Sequence, residues 1–211
     1  MNKKNQKGEV MHCAVDKETI KETILFHGHN CPGLSIGIRA SELALDTLKR
    51  QKGDNILVVV ETDMCAVDAI QFLTGCTLGK GNLIHRDFGK TAFSFFDPDR
   101  KKAIRLTLKP GCFGSERDEM RSLMQKDRPL SAGEKQRLEQ LRQKQIQDIM
   151  EMDQESLFEV ADIDPVPPRS ARIMDSLECA YCREMTMESR VRLYAGKSYC
   201  IPCFEKVDQK R

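Results

Sequence analysis

Cys179-Ala-Tyr-Cys182 and Cys200-Ile-Pro-Cys203, separated by 17 residues, constrain the end of this chain more than any other feature. Two residues between paired cysteines let a tight turn aim both sulfurs at one ion, ~2.3 Å from each, and two such pairs make a four-thiolate zinc site. Val191, Leu193 and the Ala195-Gly196-Lys197 turn predict a hairpin between the pairs, and Cys203-Phe204-Glu205-Lys206-Val207 predicts that the second pair opens a helix. Hairpin, then helix, with a pair on each, is the treble-clef zinc-finger arrangement. So small a segment buries too little apolar surface to fold alone, so zinc would hold it together. From residue 169 onward nine basic residues face six acidic ones, a net of +3. That is weak for a nucleic-acid reader and favours a structural or protein-docking role.

The chain holds nine cysteines in 211 residues, an odd number, and the basic segment 1–15 has no apolar stretch behind it to read as a secretory signal. Metal ligands or reactive thiols in a reducing, cytoplasmic setting are expected rather than a disulfide framework. Ile56-Leu57-Val58-Val59-Val60 is the longest aliphatic run, far short of the ~20 apolar residues of a membrane span. The net charge is +2, so charge alone does not call for nucleic acid, while a 40% hydrophobic share suffices for a core.

Residues 15–112 read as compact α/β sequence. Asp16 is placed to cap a helix carrying Ile20, Ile24 and Leu25 that ends near Gly28, and Pro32 opens a longer helix with Leu34, Ile38, Leu45 and Leu48 on one face. Residues 55–62 form an aliphatic strand buried on both faces, and a short helix spans about 66–73. Phe93 and Phe95, then Ile104, Leu106 and Leu108, alternate around the Asp97-Pro98-Asp99-Arg100 turn signal and predict a hairpin. Three sections follow: an α+β core over 1–130, a charged helix with a proline-rich linker over 131–168, and the finger over 169–211. Ser131 and Glu134 have capping-box spacing, and Leu138, Leu141, Ile146 and Ile149 make a narrow stripe. That helix is expected to face solvent as a spacer or as the arm of a homodimer. Seven acidic residues with no Lys or Arg fall between Asp148 and Asp164.

The second concentration of chemistry is His27-Gly28-His29-Asn30-Cys31-Pro32-Gly33. If extended, its three donor side chains share one face but span ~13 Å, too far for all three to hold one ion. Cys31 falls just before a helix start, where unpaired backbone N–H groups favour a thiolate. Cys65 follows the buried strand, and strand ends are where α/β proteins place their sites. Asp68 shares its helix face and can support a ligand or carry a proton. The expected core site is therefore His29, Cys31 and Cys65 around a second zinc or similar ion, with His27 as the alternative ligand. A packed-thiol reading of Cys31 and Cys65 stands beside it. Gly75-Cys-Thr-Leu-Gly79-Lys80-Gly81 is not a phosphate loop: three residues separate its first two glycines, and Gly81 stands where a hydroxyl would hold magnesium. It either lets Lys80 or Lys90 meet an anion or forms a tight connection that positions Cys76.

Together, His27-Gly-His29-Asn-Cys31-Pro-Gly33, Asp68-Ala-Ile-Gln71, Thr74-Gly-Cys76-Thr-Leu-Gly79-Lys-Gly-Asn82 and Asp87-Phe-Gly-Lys90 resemble the family of the formylmethanofuran dehydrogenase E subunit, in order over residues 15–112. The resemblance implies a thioredoxin-like α+β core with a mixed sheet flanked by helices, a metal-capable cleft and an auxiliary treble clef. It also implies association with other components of a molybdenum or tungsten enzyme. Three functions compete: a zinc-binding accessory protein, a stand-alone enzyme using metal-bound water with Asp68 or a spare histidine as proton carrier, and a metal or metallocofactor carrier.

Overall fold

A computed structural model describes residues 13–113, 116–168 and 173–207. Most of the basic N-terminal segment lies outside the described residues. The chain divides into two compact units, residues 1–170 and 171–211.

The first unit begins with α1 (Lys17–His27), whose cap is Asp16: its carboxylate accepts from the backbone N–H groups of Glu18 and Thr19. Gly28, at φ 91°, ends the helix in a left-handed turn open to glycine at little cost. Helix α2 (Pro32–Leu48) follows. Its end is closed by Lys49 at φ 53° rather than by a glycine. Then come β1 (Leu57–Val60), α3 (Ala66–Thr74), β2 (Leu83–His85), β3 (Ala92–Asp97), β4 (Lys102–Leu108), α4 (Glu116–Met124), α5 (Ala132–Glu151), α6 (Gln154–Leu157) and β5 (Phe158–Asp162). The strands form one mixed sheet in the order β2-β1-β3-β4-β5, with β1 and β2 parallel and the other pairs antiparallel. The expected α+β class with a mixed sheet and flanking helices holds.

Alternation along the strands sends Val58, Val60, Phe93, Phe95, Ile104 and Leu106 to one face, where they pack with Ile36, Ala40, Ala44 and Leu48 of α2 and Ala66 and Ile70 of α3. A smaller cluster of Leu57, Val59, Phe96 and Ala103 fills the other face. Leu34 and Ile38 join Ala69 and Leu73 in a further layer, with Ile20 and Ile24 of α1 packed against it. Thus α2 is buried on two sides, more than its single expected stripe required. Gly37 permits this: a Cβ there would collide with the carbonyl of Ala66, so only glycine lets α2 approach α3 so closely.

The charged helix departs from expectation. The capping box forms, with Glu134 N–H donating to Ser131 Oγ at 3.3 Å and Ser131 N–H donating to Glu134 Oε2 at 2.8 Å. However, Leu138, Leu141, Ile146 and Ile149 are all buried, and Ile149 joins the main core with Leu157 and Phe158. Helix α5 is therefore an integral wall of the first unit, not a spacer. The acidic stretch after it is not all linker either, since β5 pairs with β4 from Ile104↔Asp162 to Leu108↔Phe158. A stripe of four aliphatics is enough because α2 supplies the opposing surface. On β5 only Phe158 is buried, and the carboxylates on its exposed residues discourage further strands from pairing there.

The glycine-rich connection is a tight structural turn. Thr77 N–H donates to Asn82 Oδ1 at 2.9 Å, Lys80 Nζ to the carbonyl of Gly75 at 2.9 Å, and the buried Cys76 thiol to the carbonyl of Ile56 at 3.3 Å.

The second unit contains a hairpin of β6 (Ser176–Glu178) and β7 (Met185–Met187), then β8 (Val191–Tyr194) paired with β9 (Lys197–Cys200), and the short helix α7 (Ile201–Phe204). Ala195 at φ 48° and Gly196 at φ 74° make the β8–β9 turn. Hairpin followed by helix is the expected finger order. Among the described residues no helix is long and apolar enough to cross a membrane.

Candidate metal centres

In the first unit, donor atoms of His27, His29, Cys31 and Cys65 all lie within 4.8 Å of one another. The extended geometry expected for residues 27–33 is absent, because α1 ends at His27, Gly28 turns the chain back, and Cys31 caps α2. That fold brings three donors to one point instead of spreading them along a strand. The His27 and His29 rings lie 4.4 Å apart, and His27 Nε2 is 3.8 Å from Cys31 Sγ.

Each donor has a distinct local cause. Cys31, extended at φ −153°, accepts the N–H of Leu34 on its sulfur at 3.4 Å, which fixes the sulfur at the start of α2. Cys65 sits immediately before α3. Burial, and then the neighbouring Cys31, push the Cys65 thiol above its ordinary range, as expected for two sulfurs that cannot both carry charge without a cation. His27 has a side chain only 9% exposed, and its Nδ1 lies 2.7 Å from Asp68 Oδ2. With the Nδ1 proton donated to that carboxylate, Nε2 is left as the free donor on the Cys31 side. His29, by contrast, is exposed.

Two sulfurs and two imidazole nitrogens are a donor set suited to zinc, which holds them at ~2.3 and ~2.0–2.1 Å. Gly33 keeps the space open: a Cβ there would lie 3.1 Å from Cys65 Cβ and 3.9 Å from Cys31 Sγ. The residues present therefore fit such an ion.

In the second unit, the sulfurs of Cys179, Cys182, Cys200 and Cys203 also lie within 4.8 Å of one another. Cys182 and Cys200 are 3.9 Å apart, close to the ~3.8 Å that tetrahedral zinc–sulfur bonds impose. The N–H of Cys200 donates to Cys179 Sγ at 3.3 Å and helps bring that thiol down to about 6.

What the sequence did not flag is the wall beside the core cluster. Arg117, Arg121, Arg142 and Gln145, on α4 and α5, line a cavity bordered by His29, Cys31 and Cys65. Charged helices carry no motif for this; only the four-residue spacing of Arg117 and Arg121 hinted at a common face.

A mixed-sheet α+β unit with a two-histidine, two-cysteine cluster, joined in sequence to a four-cysteine finger, defines a metal-binding class of protein. Residues 26–159 match the family described as FmdE, molybdenum formylmethanofuran dehydrogenase operon, and residues 172–209 match the prokaryotic DksA/TraR C4-type zinc finger. The chain belongs to the FmdE family. A curated relative, a probable S-adenosyl-L-methionine-binding protein of Archaeoglobus fulgidus, is 29% identical over 188 residues, covering 84% of this chain and 50% of its own length. The chain thus spans about half the length of that relative. The crystal structure of a tungsten formylmethanofuran dehydrogenase FmdE-like protein from Syntrophus aciditrophicus shares the fold, with a TM-score of 0.61 at 22% identity over 93% of this chain and 96% of that one.

Proposed function

We propose that the chain is a metal-binding accessory protein whose core holds one zinc ion through His27, Cys31 and Cys65, with His29 as a displaceable fourth ligand. The observation that carries this reading is the convergence of four donors within 4.8 Å, one of them oriented by Asp68. It exchanges the roles first given to the two histidines. Burial and the Asp68 contact support His27 as the fixed ligand, while exposure supports His29 as the one that yields. Asp68 is then a positioning residue, since its carboxylate is engaged by the ligand it orients. When bound, zinc supplies Lewis acidity to an oxygen brought beside it. The finger takes a second, structural zinc through its four cysteines.

The family's operon description supports association with a molybdenum formylmethanofuran dehydrogenase. The Archaeoglobus fulgidus relative's name raises S-adenosyl-L-methionine as a ligand. Among the described residues no carboxylate lines the cavity to meet that ligand's sulfonium and ammonium groups, whereas three arginines do line it.

The test is metal content by mass spectrometry on full-length chain purified without chelator and supplemented with zinc. Two equivalents per chain are expected, one in Cys31→Ser and one in Cys182→Ser. Unchanged stoichiometry in Cys31→Ser would overturn the core site.

A further inference from the structure

The cavity beside the core donors has a volume of about 630 Å³, in the range of small-molecule sites. His29, Cys31, Gly33 and Cys65 form one side of it, and Ile36, Met64, Phe113, Met120 and Met124 give it an apolar body. Arg117, Arg121 and Arg142 add three positive charges, and among the described residues neither Asp nor Glu lines it.

Those arginines are poorly neutralised within the chain. Helix α4 carries Glu116 and Glu119, but Glu116 pairs with Lys144 at 2.8 Å and Glu119 with Arg137 at 2.7 Å. Glu116 and Glu119 are thereby engaged by α5, and Asp118, the third acid of α4, is exposed and does not line the cavity. Among the described residues, neither Arg117 nor Arg121 is within 4.0 Å of a carboxylate, and Arg142 reaches Glu139 only at 3.9 Å. Arg117 is instead held over the Phe113 ring, 5.3 Å from its centroid. A second observation is independent of charge. Gln145 Oε1 is buried without a hydrogen-bond partner in this same wall, an arrangement that proteins rarely leave unsatisfied, and the same amide turned over presents an N–H donor there, as an oxyanion requires.

We infer that this cavity binds a small organic molecule with an oxyanion head, a carboxylate or phosphate, and an apolar body. The arginines take the head and the methionines the body; flexible thioether side chains suit varied apolar shapes. The inference goes beyond the metal-centre reading, because its evidence lies in α4 and α5 rather than in the donor cluster.

The test is calorimetric titration of full-length, zinc-supplemented chain with octanoate, octyl phosphate, 1-octanol and octylamine. Methyl NMR of Met64, Met120 and Met124 is followed in the same samples. At least one anion should bind and shift those methyl signals, and comparison of the two identifies the head group. Octanol should bind roughly 10-fold more weakly, and octylammonium not at all. Arg121→Gln and Arg117→Gln, both exposed positions that should leave folding intact, should each weaken the anion roughly 10-fold. Failure of both anions to bind, equal binding of octylammonium, or anion binding unchanged in both variants would overturn the inference. Metal analysis of the same samples separates the two readings. Anion binding with no core metal would sink the metal site alone, whereas core metal with no anion binding would sink this proposal alone.

Discussion

His27 Nδ1 lies 2.7 Å from Asp68 Oδ2, joining the last turn of α1 to the first turn of α3 across 41 residues of sequence. The contact fixes which imidazole nitrogen faces Cys31, and so makes the core cluster sensitive to a residue that supplies no donor of its own.

Asp68→Asn should therefore weaken core zinc by about 10- to 100-fold while the fold survives. The asparagine amide can present a donor where an acceptor is needed. Competition with a zinc chelator measures the affinity, and circular dichroism checks the fold. Wild-type affinity in the variant would remove Asp68 from the site.

Cys203→Ser should unfold the finger and spare the first unit, since the two units are separately compact. Amide NMR would show collapse of signals from 173–207 and retention of those from β1 and β3. Loss of both sets together would mean that the units fold as one.

Gly37→Ala should destabilise the first unit by about 1–3 kcal/mol or more, because its methyl group meets the Ala66 carbonyl. Gly33→Ala should cost less, its Cβ lying 3.1 Å from Cys65 Cβ, but it should perturb metal binding. Urea denaturation separates the two effects, and equal loss in both variants would contradict the geometry.

Ile149→Ala should cost about 2–5 kcal/mol, as a fully buried core residue does, whereas Gln147→Ala on the exposed face should cost about 0.5 kcal/mol or less. A spacer helix would tolerate both changes equally, so their stabilities decide whether α5 belongs to the core.

Asp97 is buried at the end of β3 and accepts from Arg50 Nε at 2.8 Å and Nη2 at 2.6 Å. The Arg50 guanidinium holds its carboxyl below the ordinary range. A carboxylate with a folded-state pKa below the unfolded ~3.9 contributes stability that is complete above that value and fades as pH falls through the folded one. The difference in melting temperature between wild type and Asp97→Asn should therefore be largest above pH ~5 and shrink toward pH ~2. A difference independent of pH would place the effect elsewhere.

Local chemistry by itself determined much of the molecule. Asp16, Gly28 and Pro32 marked the helix ends because capping and left-handed turns depend on single residues, and the Cys179 and Cys200 pairs marked the finger because ligand spacing is local. The aliphatic run before Thr62 likewise declared a buried strand. Tertiary structure decided what depends on an opposing surface. The Ile149 stripe looked too narrow for a core until α2 was seen against it, and acidic β5 became a strand only because β4 offered an unpaired edge. The core cluster lies between these cases. His27, His29, Cys31 and Cys65 were legible as donors, but residue type says nothing of distance. Only the Gly28 reversal and the meeting of α1 with α3 made His27 the buried member and left His29 facing outward, because burial belongs to packed elements rather than to residues.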